Sequence, residues 1–170
     1  PGAALSLRRA YEKDIPLIRN LSQQVWPQTY STILGPEQIS YMLDMMYSEQ
    51  SLSKQMREQH EFIIVSDGKE PVGFASFSQQ SPGVYQLHKI YMLPSMQGKG
   101  AGKFVINEIL KAIGRKGGQA LLLNVNRNNK AVDFYKKMGF EIIREEDIAI
   151  GNGYFMNDYV MEKKLQTSVA

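Results

Sequence analysis

Hydrophobic positions change period several times along the chain, and each change marks an expected element. Residues 5 to 10, LSLRRA, alternate as a first strand does, and Asp14 then precedes a run in which Leu17, Ile18, Leu21 and Val25 share one helical face. Pro27 predicts the end of that helix, because proline lacks the amide that continues it. A second helical pattern follows Pro36, carries Ile39, Tyr41, Met42, Leu43, Met45 and Met46, and runs on past Tyr47 into SEQSLSKQMREQ. Its aromatics and methionines predict core packing, and flexible thioethers also suit the wall of an adaptable pocket.

The segment EFIIVSDGKEPVGFASFS, residues 61 to 78, predicts a hairpin, since two apolar runs flank Asp67-Gly68. After the SPG punctuation, residues 84 to 93 read as the next strand. Strict alternation puts Val84, Gln86, His88, Ile90 and Met92 on one face and Tyr85, Leu87, Lys89, Tyr91 and Leu93 on the other. From Ala101 the period becomes helical, with Val105, Ile106, Ile109, Leu110 and Ile113 facing inward until GRKGG. ALLLNV is a near-continuous apolar strand of the kind covered on both faces. Asn128 then predicts the cap of a short helix bearing Ala131, Phe134, Tyr135 and Met138, closed by Gly139 in a left-handed turn. FEIIRE and YFMNDYVMEKKL complete the pattern. The sum is an α/β protein whose mixed, largely antiparallel sheet has six to seven strands flanked by about four helices.

Composition narrows the class. With 170 residues, 43% hydrophobic and 22% charged, the chain reads as one domain over 1–170. It contains no cysteine, which rules out disulfides, thiolate metal sites and a cysteine nucleophile. No signal-like or membrane-spanning apolar run is visible, so a soluble cytoplasmic protein is expected, with no membrane partner and no metal. A net charge of +3 is spread without a basic run, which argues against nucleic acid as a partner.

The candidate chemistry lies in QGKGAGK, residues 97 to 103. A nucleotide P-loop needs four residues between its first glycine and Gly-Lys, then Ser or Thr for magnesium; here three intervene and Phe104 follows. A dinucleotide fingerprint fails because the third glycine comes one residue early. What remains is a pyrophosphate laid on the N-terminus of the helix beginning near Ala101, where unpaired amides and the helix dipole favour an anion. Lys99 and Lys103 add charge.

QGKGAG resembles the Arg/Gln-x-x-Gly-x-Gly/Ala motif of the GNAT superfamily, the acyl-CoA-dependent N-acyltransferases. HKIYMLP before it resembles the strand that family sets beside its coenzyme. NNKAVDFYKKMGF is similar to the second signature, Asn-x-x-Ala-x-x-Phe-Tyr-x-x-x-Gly-Phe, and the resemblance spans residues 5 to 165. Within the superfamily the chain looks most like the bacterial polyamine N-acetyltransferases.

The resemblance implies a GNAT fold, acetyl-CoA as co-substrate and transfer to an amine acceptor. It implies that the strands ending near Met92 and Asn124 splay apart, with the backbone of Tyr91 and Met92 beside the pantetheine arm, and the amides of Gln97, Gly98, Lys99, Gly100, Ala101 and Gly102 around the pyrophosphate, with Lys103 and Asn128 adding contacts. Met92 N–H is then the donor to the thioester oxygen, and Tyr135 the group that protonates the departing thiolate. Relatives often carry a glutamate at the position of Gln86, which cannot take a proton. His88 is therefore the candidate base, acting through water. Trp26, Tyr30, Tyr41, Tyr154 and Phe155 are candidates for an acceptor wall, and Glu145, Glu146, Asp147 and Asp158 for drawing a cationic amine. The acceptor stays open among a polyamine, a small amine or amino acid, a peptide amine and an aminoglycoside. A non-catalytic acyl-CoA-binding domain is the alternative function. Members of the superfamily often form homodimers, and no residue pattern here fixes an interface.

Overall fold

In the computed structural model, which describes residues 4 to 166, the alternating segments pair into one seven-stranded sheet. Its strands are β1 (Leu5–Ala10), β2 (Glu61–Asp67), β3 (Glu70–Ser81), β4 (Val84–Met92), β5 (Ala120–Asn126), β6 (Glu141–Gly151) and β7 (Tyr154–Lys164). They lie in the order β1-β2-β3-β4-β5-β7-β6, and every neighbouring pair is antiparallel except β4 and β5. The helices are α1 (Ile15–Tyr30), α2 (Pro36–Tyr47), α3 (Glu49–Arg57), α4 (Ala101–Arg115) and α5 (Ala131–Lys137). The expected α/β mixed sheet is present, with five helices among the described residues where about four were expected. The expected 1–170 domain runs past the described residues at both ends.

Two local expectations are corrected, and Asp14 adds a local detail. Pro27 lies inside α1. It sits on the exposed side of the helix, so the carbonyl that its missing amide would have bonded is left to water, while Trp26 and Tyr30 on the other side are buried. The second helical pattern breaks at Ser48, whose backbone is extended and whose Oγ accepts from Ser51 N at 3.1 Å, starting α3 as a separate helix. Asp14 does not cap α1 with its side chain; both carboxylate oxygens take Arg8 at 2.9 and 3.0 Å, and one also accepts the Tyr11 amide.

Two cores lie on opposite faces of the sheet. On one side Val105, Ile106, Ile109 and Ile113 of α4 pack over Phe77, Leu121, Leu123 and Met161. On the other, Ile18, Trp26 and Leu52 of α1 and α3 cover Phe62, Ile64 and Phe74. Burial of side chains of this size stabilises by about 1.5–3 kcal/mol each.

Strand β4 serves both cores, and the switch between them departs from strict alternation. Ser76 pairs with Lys89 and Phe77 with Leu87, so His88 has no partner on β3 and forms a bulge. Tyr85 and Leu87 before the bulge, and Ile90 and Met92 after it, all reach the α4 core. Lys89 and Tyr91 are thereby turned to the helical face over α1, where Tyr91 contacts Trp26, Tyr30 and Phe74.

Candidate active site

The parallel joint between β4 and β5 is short. Pairing runs from Val84↔Ala120 to Leu87↔Leu123 and stops, although β4 continues to Met92 and β5 to Asn126. Beyond Leu87 each strand keeps only its outer neighbour, β3 for β4 and β7 for β5. The splayed ends open a cleft of about 970 Å³.

The hydrogen bond from Leu93 N to Val72 O, 2.8 Å, fixes the phase of the β3–β4 ladder. Antiparallel pairs alternate, so Phe74/Tyr91 is a hydrogen-bonded pair and Gly73/Met92 is not. The Met92 amide therefore faces the gap, with Ile90 in the same phase, and the backbone of Tyr91 is committed to β3. The open backbone groups of β4 are thus those of Ile90 and Met92 rather than of Tyr91 and Met92, and the bare sequence does not display this because the ladder phase is a tertiary property. Gly73 makes this approach possible, since a Cβ there would run into Met92 Sδ and the Tyr91 carbonyl oxygen.

The glycine loop closes one end of the cleft. Gly98 and Gly100 have φ of +77° and +73°, a region in which a side chain is strained. Gly102 has an ordinary backbone but touches α5: a Cβ would lie 3.2 Å from the Phe134 ring. Amides of Gln97 and Lys99 are consumed inside the turn, by Pro94 O and Met96 O. Those of Gly98, Gly100, Ala101, Gly102 and Lys103 find no acceptor among the described residues, leaving a row of donors at the N-terminus of α4. Of the amides from Gln97 to Gly102, the turn geometry leaves those of Gly98, Gly100, Ala101 and Gly102 open.

Of the expected site residues, His88, Tyr91, Met92, Gln97, Gly98, Gly100, Ala101, Gly102, Lys103, Asn124, Asn128 and Tyr135 line the cleft, and Lys99 does not. Asn128 is not the helix cap. Asn129 Oδ1 accepts from Ala131 N at 2.9 Å, while the Asn128 amide donates to Asn126 Oδ1. Tyr135, on α5, is 8% exposed and lines the cleft; its hydroxyl has no hydrogen-bond partner among the described residues. Burial holds its pKa above the ordinary tyrosine value, so it keeps its proton.

His88 occupies the bulge with its Nε2 2.7 Å from Ser78 Oγ and its ring stacked on His60 at 4.1 Å. Burial, reinforced by His60 and Lys89, pulls its pKa down to about 3. A neutral imidazole this reluctant to accept a proton is ill suited to deprotonate an ammonium group.

On the helical side of the cleft, Trp26, Tyr30 and Phe155 form part of the wall. Tyr30 and Tyr91 share a 2.9 Å hydroxyl contact. Tyr41 and Tyr154 pack on each other outside the lining, and Tyr41 donates to Ile150 O at 2.7 Å, pinning the β6–β7 hairpin to α2. Among the four expected acids, Asp158 alone lines the cleft. Asp147 pairs with Arg127 at 2.7 Å, Glu146 with Arg144 at 2.8 Å, and Glu145 lies outside the lining. Across the splay, Gln86 Nε2 donates to Asn124 Oδ1 at 3.1 Å, and Asn124 Nδ2 to Asp158 Oδ2 at 3.3 Å.

Open amides at a helix start, an open strand amide in a gap and an unpartnered phenol fit a pyrophosphate, a pantetheine arm and a thioester in sequence along one cleft. Comparison with known proteins agrees. The family model described as an acetyltransferase (GNAT) domain matches residues 31–163. An uncharacterised N-acetyltransferase of Mycobacterium tuberculosis is 27% identical over 148 residues, covering 85% of this chain and 94% of its own. A peptidyl-lysine N-acetyltransferase of Salmonella typhimurium is 30% identical over 101 residues, 59% of this chain and 63% of its own. Among solved structures, the PaiA N-acetyltransferase of Thermoplasma acidophilum in complex with coenzyme A superposes with a TM-score of 0.81 at 24% identity, over 95% of this chain and 99% of that one.

Proposed function

The chain belongs to the GNAT acetyltransferase family, and from that premise we propose that it moves the acetyl group of acetyl-CoA directly onto a primary amine bound on the helical side of the cleft. N-acetyltransferase chemistry is the family's; the acceptor class, the direct attack and the residue roles are the added reading. One observation carries it: the free amides of the first turn of α4, the Met92 amide and the Tyr135 hydroxyl all meet one cleft without partners of their own.

In this reading the amides of Gly98 and Gly100 to Lys103 hold the pyrophosphate, with the Lys103 side chain beside them, while Lys99 adds charge from outside the lining. Gln97, Asn124 and Asn128 contact the coenzyme along the same wall, and the edges at Ile90 and Met92 take the pantetheine arm as an added strand. Met92 N–H donates to the thioester oxygen as charge develops there; a donor aimed in advance is worth about 3–4 kcal/mol. Tyr135, kept protonated by burial, delivers its proton to the departing sulfur.

The acceptor is a polyamine, a small amine or a peptide amine. The polyamine option rests on the resemblance of the motifs, and the lysyl option is supported by similarity to the peptidyl-lysine N-acetyltransferase of Salmonella. Tyr135→Phe is expected to lower turnover by about 10²-fold while coenzyme affinity stays within about twofold. Thiol release measured against a panel of amines, alongside coenzyme binding by calorimetry, checks this. Wild-type turnover in the variant would remove Tyr135 from the chemistry.

A further inference from the structure

Within the cleft the sheet buries one carboxylate and gives it no cation. Asp158 of β7 is 3% exposed and lines the cleft on the face that carries Met156 and Val160. Its side chain receives one long hydrogen bond, from Asn124, and forms no ion pair among the described residues. Arg127, in the loop after β5, lowers the Asp158 pKa by its charge but makes no ion pair with that carboxylate: it donates to the backbone carbonyls of Glu146 and Asp158 and pairs with Asp147. Buried charges are ordinarily paired, so an anion left alone against a cleft marks the seat of a cation that arrives with the substrate.

We propose that Asp158 anchors the ammonium group of the acceptor and takes its proton, and that the acceptor carries this group on an apolar stem. The inference rests on the acetyl-transfer reading above. The Gln86–Asn124 chain holds the Asn124 amide with its NH2 toward Asp158, so these two are positioning residues. The position where relatives place a glutamate thereby supports a carboxylate two strands away. Asp158 removes one proton from R–NH3+; the freed amine attacks the thioester carbon, the C–N bond forms and the C–S bond breaks. The second amine proton replaces the one Tyr135 gives to sulfur, and Asp158 returns its own proton to water. Burial raises the Asp158 pKa against the lowering effects of the Asn124 hydrogen bond and the Arg127 charge, with Glu146 adding to the rise, which moves the carboxylate toward the range of a useful base. The stem follows from the lining: Asp158 is the one carboxylate lining the cleft among the described residues, and Trp26, Met42, Met46, Phe155 and Met156 line the same cleft. A second ammonium a few carbons away would find no second carboxylate in the lining among the described residues.

The variant is Asp158→Asn, which keeps shape and removes charge. Expected are a loss of at least about 10²-fold in kcat/KM for a monoamine such as butylamine or a lysyl peptide, and disappearance of the acidic limb of the pH profile. Coenzyme A affinity by calorimetry should be unchanged. The profile is interpreted against the groups facing Asp158, namely Tyr30 of α1, Asn124 of β5, Glu146 of β6 and Arg127 in the loop after β5. Calorimetric binding of butylamine to the coenzyme A complex should weaken at least about tenfold in the variant, a readout independent of turnover. Equal kcat/KM and equal amine binding in both proteins would overturn the anchor, as would wild-type protein that binds no amine. If wild type binds amines through Asp158 yet acetylates none, the transfer reading fails and the anchor stands. A preference for spermidine over butylamine would overturn the apolar stem.

Discussion

Lys89 is a buried cation with a measurable cost. Its ammonium donates to Gln55 Oε1 at 2.8 Å and lies over the rings of Tyr47 and Phe62 at 5.2 and 5.7 Å, with no carboxylate beside it. Burial lowers its pKa to about 8 from 10.5. Below pH 8 it is protonated in both folded and unfolded chains, and the full cost of burying the charge is present. Between about 8 and 10.5 the unfolded chain binds the extra proton, so stability from this group rises with pH, by roughly 3 kcal/mol over the window. Urea unfolding at pH 7.5 and at pH 10.5 should show that increment in wild type and not in Lys89→Met; parallel pH dependences would refute it. His88 offers a second test. Because its ring is already neutral at working pH, His88→Gln should leave the acidic limb of the rate profile in place, and loss of that limb would return the base to His88.

At the scale of elements, what the sequence discloses depends on whether the signal is local. Gly98 and Gly100 were legible as backbone devices because positive φ is a property of one residue, and the short helix before Gly139 was legible from its apolar spacing. The bulge at His88 was not, since nothing in VYQLHKIYM interrupts alternation; it exists because β4 must feed two cores. Pro27 and Ser48 show the same limit for helices, where burial of Trp26 and Tyr30 overrides one signal and a side-chain cap creates the other. The glycine loop at one end of the cleft carries motifs, whereas the Gln86–Asn124–Asp158 chain joins three strands and has no sequence signature. The loop carries its own prediction. Gly100→Ala forces a side chain into the left-handed region at the cap of α4, costing about 1–2 kcal/mol, and moves the amides that follow it. Coenzyme A affinity should fall at least about tenfold, whereas a variant at Gly68, also at positive φ but in the β2–β3 turn, should lose comparable stability and keep its affinity. Equal affinities in the two variants would detach the loop from the coenzyme.

The molecule as a whole is two half-sheets, β1 to β4 and β5 to β7, joined by a parallel ladder of four residue pairs. Each half is well knit internally by antiparallel pairing, and α4 spans the joint on one face only, so the splayed ends are the place where the halves are least bonded to each other. A ligand inserted between them as an added strand supplies the missing hydrogen bonds to β4 while its phosphates engage α4, and it binds only the folded protein. Coenzyme A at about 100 times its dissociation constant should therefore stabilise by about 2.7 kcal/mol, which for a chain of this size raises the melting temperature by roughly 5–10 °C. The distribution of that gain is the sharper test. Amide exchange should slow at Ile90, Met92, Gly98 and Gly100 to Lys103, groups that lack acceptors in the free fold, and change little at Lys99 and Tyr91, whose amides are already paired with Met96 O and with β3. Gly73→Ala, which presses a methyl group into Met92 and the Tyr91 carbonyl, should reduce both the melting shift and the protection at Met92. Protection spread evenly over the sheet, or concentrated at Tyr91, would mean that the coenzyme does not lie along β4 in the phase the ladder sets.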